Sequence, residues 1–122
     1  MSASDQLLIE VYEAFNKRDI PRIFAKMHPE VDWPNGMEGG RVHGQSSVRD
    51  YWERQWKAFD THVEPVQIEE DESGQSVVTV RQVVRDLNGN VLMDRVVQHV
   101  YSIHDNLIQR MEIRESEPES KP

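Results

Sequence analysis

Two β-branched runs flank Asn88-Gly89, one from Val77 to Leu87 and one from Asn90 to Tyr101. Asn-Gly between such runs is the strongest short-range hairpin signal, because a tight primed turn needs positive φ at its central residues. With Asn88 and Gly89 as those residues, one side of the ribbon pairs Arg85 with Leu92, Val83 with Asp94, Arg81 with Val96 and Thr79 with Gln98. The other side pairs Val84 with Met93, Gln82 with Arg95, Val80 with Val97 and Val78 with His99. Both sides mix apolar and polar residues, whereas a sheet with one wet face alternates cleanly. Both faces are therefore expected to be covered.

Upstream, Leu8, Val11, Tyr12 and Phe15 recur at helical spacing between Ser4 and Lys17, with Asp5 and Glu10 early and Lys17 and Arg18 late, as the helix dipole favours. Asp19 caps a second helix with Pro21 in its first turn, expected to bury Ile23, Phe24 and Met27 and to stop at His28-Pro29. Val31 to Pro34 reads as a short strand, and the glycine-rich stretch from Asn35 to Gly40, with Gly44 beyond it, as a loop. No Gly-Lys-Ser/Thr follows those glycines, so a phosphate loop is rejected. Ser47 and Asp50 suggest a capping box for a third helix, with Val48, Tyr51, Trp52 and Phe59 on one side and Trp56 flanking. Strands are then predicted over Thr61 to Glu69, in the hairpin, and over Leu107 to Ile113, where Leu107, Gln109, Met111 and Ile113 share a face. His104-Asp105-Asn106 supplies the last turn. Helices followed by a meander of long antiparallel strands make an α+β domain over residues 1–114, with 115–122 as a disordered acidic tail.

The chain of 122 residues suits a single core. It contains no cysteine, so disulfides, thiolate metal sites and thiol nucleophiles are out. A formal charge of -8 argues against nucleic acid or an anionic membrane as partner. No apolar run approaches the ~20 residues of a membrane span, and the first residues lack a signal-peptide pattern, so a cytoplasmic protein is expected. The five histidines, at 28, 43, 62, 99 and 104, are not spaced as ligands on one helix or strand face. No metal and no cofactor are implied.

The order of elements resembles the nuclear transport factor 2-like superfamily, the SnoaL-like or ketosteroid isomerase-like fold. The resemblance rests on Ala14 to Ile20 at the first helix junction, Met27 to Trp33 at the first strand, Gly44 ahead of Tyr51-Trp52, and Gln98 to Ile103 running into Leu107-Ile108. It implies a cone-shaped half-barrel, cystatin-like in outline, with its pocket between helices and concave sheet and a homodimer through the convex sheet face. On that reading Arg81, Val83, Arg85, Asp94, Val96 and Gln98 line the pocket, while Val78, Val80, Val84, Met93, Val97 and His99 meet a second subunit. The ketosteroid isomerase roles do not carry over. Trp33 stands where that family has its base, Val11 where it has its oxyanion tyrosine, with Tyr12 turned about 100° away, and Gln98 where it has a protonated aspartate. The limonene epoxide hydrolase motif fails as well, since Val83 stands where its Arg-x-Asp needs the acid.

Arg81, Asp94 and Arg85 form the leading candidate site, because charges on a face covered by helices are costly unless paired or used. They make either a structural ion-pair cluster or an anion- or carbonyl-binding group with Asp94 as base, although two arginines would lower its pKa and weaken it in that role. His43, in the loop at the pocket rim, is a reserve acid/base. Trp33, Tyr51 and Trp52, with Val83, Arg85, Gln98 and Met111, are the expected ligand contacts, for a small hydrophobic or anionic molecule. The expected activity is isomerisation, cyclisation or hydration of a carbonyl compound; the alternatives are a non-catalytic binding domain and a dimerisation module filled by its own side chains. A cavity below roughly 300 Å³ would favour the last.

Overall fold

Helix α1 (Ala3–Asn16) forms where the apolar spacing places it and buries Leu7, Leu8, Val11, Tyr12 and Ala14. It ends on Arg18, which takes a left-handed conformation (φ 60°) while Asp19 N–H donates to the Ala14 carbonyl at 2.9 Å. This is a helix-terminating motif normally given to glycine. Here the arginine is held by an ion pair to Asp60 at 2.8 Å and by its guanidinium, 4.9 Å from the Trp56 ring centre. The sharp exit lets α2 (Ile20–Phe24) start almost at once, capped by Asp19, whose carboxylate accepts from Arg22 N–H at 3.3 Å.

The remaining elements are β1 (Met27–Pro34), β2 (Arg41–His43), α3 (Gln45–Ala58), β3 (Asp60–Glu70), β4 (Ser76–Arg85), β5 (Val91–His104) and β6 (Leu107–Glu115). The computed structural model describes residues 3–35 and 39–115. Part of the glycine-rich loop and the expected disordered tail, from residue 116 on, lie outside that range. The strands form one curved, unclosed sheet in the order β2-β1-β6-β5-β4-β3. β1 and β6 run parallel, and the other neighbouring pairs run antiparallel. The fold is α+β, with helices packed on one face of the sheet, as expected.

Three expectations are corrected. α2 stops at Phe24, and the chain is already extended at Met27, so His28-Pro29 lies inside β1 rather than ending a helix. Ser47 does not cap α3, which begins two residues earlier behind Gly44 (φ 85°) with no side-chain cap. Gln45 spends its amide on the carbonyls of Phe24 and Met27 instead. Phe59 is not on the buried stripe of α3, because it is the extended residue that ends the helix.

The hairpin loop differs from a two-residue turn. Asp86 N–H donates to the Asn90 carbonyl and Gly89 N–H to the Asp86 carbonyl, enclosing Leu87, Asn88 and Gly89 with only Gly89 at positive φ. Asp86 Oδ1 accepts from the N–H groups of Asn88 and Asn90, which selects this three-residue loop. Arg85 consequently pairs with Val91, not Leu92. An irregularity there absorbs the missing residue, and from Val84 opposite Met93 onward every expected pair is present. The β3–β4 loop repeats the design: Asp71 N–H donates to the Gln75 carbonyl, Gly74 N–H to the Asp71 carbonyl, and Asp71 Oδ1 accepts from Ser73 and Gln75.

The largest correction concerns the faces of this ribbon. Val78, Val80 and Val97, assigned to a subunit interface, are at most 1% exposed and belong to the core cluster with α1 and α3 residues. They face the helices, and Val84 and His99 share that side. Arg81, Val83, Arg85, Asp94, Val96 and Gln98 therefore stand on the outer face.

Gly74 and Gly89 each hold the left-handed position of these matched loops, at φ 88° and 93°; a Cβ would meet open space at Gly89 and only an ordinary 3.9 Å contact with Glu70 Oε2 at Gly74. Gly74→Ala and Gly89→Ala should each cost about 1 kcal/mol through backbone strain alone. The loops sit at opposite ends of β4, ~30 Å apart, so thermal denaturation of the double variant should show additive losses.

Candidate functional site

Between the helices and the concave side of the sheet lies a cavity of about 110 Å³. Its wall is aromatic. Trp33 from β1 meets Trp52 of α3 edge-on (centroids 5.5 Å apart), Trp52 stacks on Trp56 at 6.0 Å, and Tyr51 completes this side. Aromatic residues one helical turn apart on α3, facing a tryptophan on the adjoining strand, produce this surface without help from any loop. Trp56 Nε1 is a buried donor with no partner among the described residues.

The floor is polar. Tyr101 donates its hydroxyl to that of Tyr12 at 2.8 Å, and the Tyr12 hydroxyl lies 2.8 Å from His99 Nδ1. When Tyr12 donates to Nδ1, the imidazole carries its own proton on Nε2 and ends the chain as a donor. All three residues are buried and line the cavity. Burial, and secondarily the charge of Arg95, push the His99 pKa down to about 4. Burial likewise raises both tyrosines, so imidazole and phenols are neutral at neutral pH. At the other end, Arg95 and Ile113 are the exposed members of the lining and mark the mouth, with Gln82 paired across from Arg95.

Trp33, Tyr51, Trp52 and Met111, expected as ligand contacts, all line this cavity. Arg81, Asp94, Arg85, Val83, Gln98 and His43 do not. Arg81 and Asp94 form a two-pronged ion pair (3.1 and 2.8 Å) with side chains 52% and 44% exposed. The hydrogen bond from Arg81 lowers the Asp94 pKa, with Arg85 adding a smaller pull. Such a solvated carboxylate holds its proton less tightly than an ordinary aspartate and sits on the wrong side of the sheet to reach the cavity. His43, 68% exposed, sits 3.5 Å from Asp32 on the outer face of β2 and β1. Asp32 is the centre of a cluster the sequence reading overlooked, joined by Arg41 at 2.6 Å and by Arg110. Burial raises its pKa, but the two arginines outweigh that and leave it lowered.

The Tyr12, His99 and Tyr101 constellation also escaped the sequence reading, for one reason. Val97 and His99 on the subunit side, as the resemblance implies, make Gln98 the inward residue and leave Tyr12 without a counterpart. The signal was present: the row opposite Arg81, Arg85 and Asp94 is the more apolar, and a core takes the more apolar row.

Among the described residues no group of three or more His, Asp or Glu side chains is arranged to hold a metal, and no helix is long and apolar enough to cross a membrane.

His99 generates a pH signature. The unfolded chain protonates this imidazole near pH 6.5, the folded chain only near 4. The unfolded state therefore binds more protons between those values, and stability should fall as pH drops through the window, by up to roughly 3 kcal/mol. Denaturant titrations of wild type and His99→Gln between pH 6.5 and 5 should show a slope in the first and a flatter line in the second.

No curated protein matches the sequence significantly. Solved structures do. TerC, crystallised with polyporic acid, superposes with a TM-score of 0.81 at 24% identity, over 94% of this chain and 92% of that one. A nuclear transport factor 2-like protein of unknown function from Burkholderia pseudomallei gives 0.81 at 27%, over 95% and 92%. A provisionally assigned polyketide cyclase from Sinorhizobium meliloti gives 0.76 at 19%, over 93% and 100%. The SnoaL-like domain family matches residues 8–111, and the chain belongs to it.

Proposed function

We propose that this SnoaL-like protein binds a small, mostly apolar carbonyl compound and stabilises its enol or enolate, promoting isomerisation or cyclisation. The observation that carries this reading is the buried chain from Tyr101 through Tyr12 to His99 on the floor of an otherwise aromatic cavity. A core needs no such chain, since apolar residues of the same size would pack there without desolvating three polar groups. A neutral imidazole backed by two phenols is an electrophile: it donates to an oxygen that gains charge, in a setting where water does not compete. Among the described residues no carboxylate lines the cavity, so the proton moves in bulk water before binding, as it does readily for a 1,3-dicarbonyl, and the cavity takes up the enol. Crystallisation of TerC with polyporic acid supports a small molecule in this fold.

The cavity volume favours a second reading. About 110 Å³ lies below the roughly 300 Å³ of usual ligand pockets, which suits a module filled by its own side chains or one that admits a single ring. Benzoylacetone separates the two, because its enol absorbs in the near ultraviolet. Enolate stabilisation predicts that the protein raises the enol fraction, that Tyr12→Phe reduces the effect, and that His99→Phe abolishes it. An unchanged tautomer ratio would sink the catalytic reading.

A second copy of the chain is the proposed partner of the outer face. Val96 remains 44% exposed there, opposite Arg81, and the outer face also carries Val83 and Val100, which stand outside the core cluster. Sedimentation at micromolar concentration should give a dimer for wild type and a monomer for Val96→Lys, and a monomeric wild type refutes the pairing.

A further inference from the structure

Trp56 keeps part of its ring at the surface, yet its Nε1 is buried and has no partner among the described residues. Buried tryptophan N–H groups normally find an acceptor, because leaving one without costs its full desolvation. Gln55, Thr61 and Gln82 carry acceptors and line the same cavity as Trp56, without reaching this nitrogen.

The ring is held where it is. It stacks on Trp52 at 6.0 Å, leans on Phe15 at 5.4 Å, and has the Arg18 guanidinium 4.9 Å from its centre. Arg18 is itself fixed, by Asp60 at 2.8 Å and by the Phe15 carbonyl, to which it donates at 3.1 Å. Turning the N–H out to water would give up those contacts. A donor fixed in the cavity wall, sealed from solvent and unmatched by the fold, is satisfied by what enters the cavity.

Its place relative to the floor follows from α1. Trp56 packs on Phe15 and His99 on Tyr12, with centroids 5.4 and 5.9 Å apart. Tyr12 and Phe15 are three residues apart, ~4.5 Å along the helix axis. The indole and the imidazole are therefore offset by roughly one helical turn. A molecule with oxygens on alternate carbons spans that offset with a hydrogen bond at each end.

We propose that Trp56 Nε1 is the second hydrogen-bond donor of the site, and that the ligand is a 1,3-dicarbonyl with one oxygen at His99 and the other at Trp56. This narrows the carbonyl reading above and rests on it. The enol or enolate of such a compound presents both oxygens as acceptors, so two neutral donors shielded from water meet both places where charge collects. A simple ketone would leave Trp56 unsatisfied.

Benzoylacetone and butyrophenone share one carbon skeleton and differ by the second oxygen, so calorimetric titration with both isolates this donor. Wild type should bind the diketone roughly tenfold more tightly. The gap should close in Trp56→Phe, with melting curves checking that the variant is folded. In wild type the three tryptophans give three indole N–H resonances, and proximity to Phe15 and Arg18 identifies that of Trp56. Benzoylacetone should move it downfield and butyrophenone should not, a readout that needs no variant. Equal affinities, a preference that survives Trp56→Phe, or a resonance that stays in place because a trapped water already holds the donor overturns the proposal. If benzoylacetone binds with its enol enriched and Trp56→Phe keeps the preference, the carbonyl reading stands and the Trp56 assignment falls; if neither compound binds at millimolar concentration, both fall.

Discussion

Val78, Val80 and Val97 leave at most 1% of their surface to solvent, and their burial against the helices decides which side of the β4–β5 ribbon becomes concave. Each such side chain contributes about 1.5–3 kcal/mol when fully buried. Turning the ribbon over would expose these valines and carry Arg81, Asp94 and Arg85 under the helices, at several kcal/mol per ion in desolvation. The two terms act in the same direction. Once the ribbon is oriented, period-two geometry sends His99, Tyr101 and Arg95 to the concave side and Gln98 and Asp94 to solvent.

Within that frame, Tyr12 is the contact that joins helix to sheet in a polar way. It lies 87 residues from His99 and 89 from Tyr101, and it hydrogen-bonds with both. The rings add stacked and edge-on contacts, with centroids 5.9 Å apart for Tyr12 and His99 and 6.3 Å for Tyr12 and Tyr101. A buried network of this kind is costly when half satisfied and rigid when complete. Burial, with a smaller push from Arg95, keeps the imidazole neutral, and the two phenols fix its place on the sheet.

The outer surface follows different rules. Asp32 gathers Arg41, Arg110 and His43 across three neighbouring strands at the β2 edge, and Arg81 pairs with Asp94 on the central hairpin. These pairs are partly solvated, where an ion pair adds little stability. They keep the edge strand β2 charged, which discourages pairing with other chains. Asp71 and Asp86 do comparable local work, each tying two backbone N–H groups of its loop. Side-chain hydrogen bonds from Ser73 and Asn90, joined by those backbone bonds, hold both carboxyl pKa values below the ordinary range.

The sequence by itself determined the elements and their order. Leu8, Val11 and Tyr12 mark α1, Tyr51 and Trp52 mark α3, and the Val-rich runs around Asn88-Gly89 mark the hairpin together with its pairing from Val84 and Met93 onward. These are local periodicities, and local periodicity survives in any tertiary setting. The aromatic wall of Trp33, Tyr51, Trp52 and Met111 was legible for the same reason. The three-residue loop at Asp86, the early start of β1 and the cap of α3 were not, because a side-chain hydrogen bond or a neighbouring carbonyl chose among conformations that the sequence tolerates equally. Which face of the sheet is inner was signalled only by the more apolar row, and the tertiary structure decided it. Both faces of the ribbon carry valines and polar residues, so the choice depended on the summed burial of Val78, Val80 and Val97 against helices distant in the chain. With that choice came the polar side chains that the ribbon gives to the cavity, from His99 and Tyr101 at the floor to Gln82 and Arg95 at the mouth.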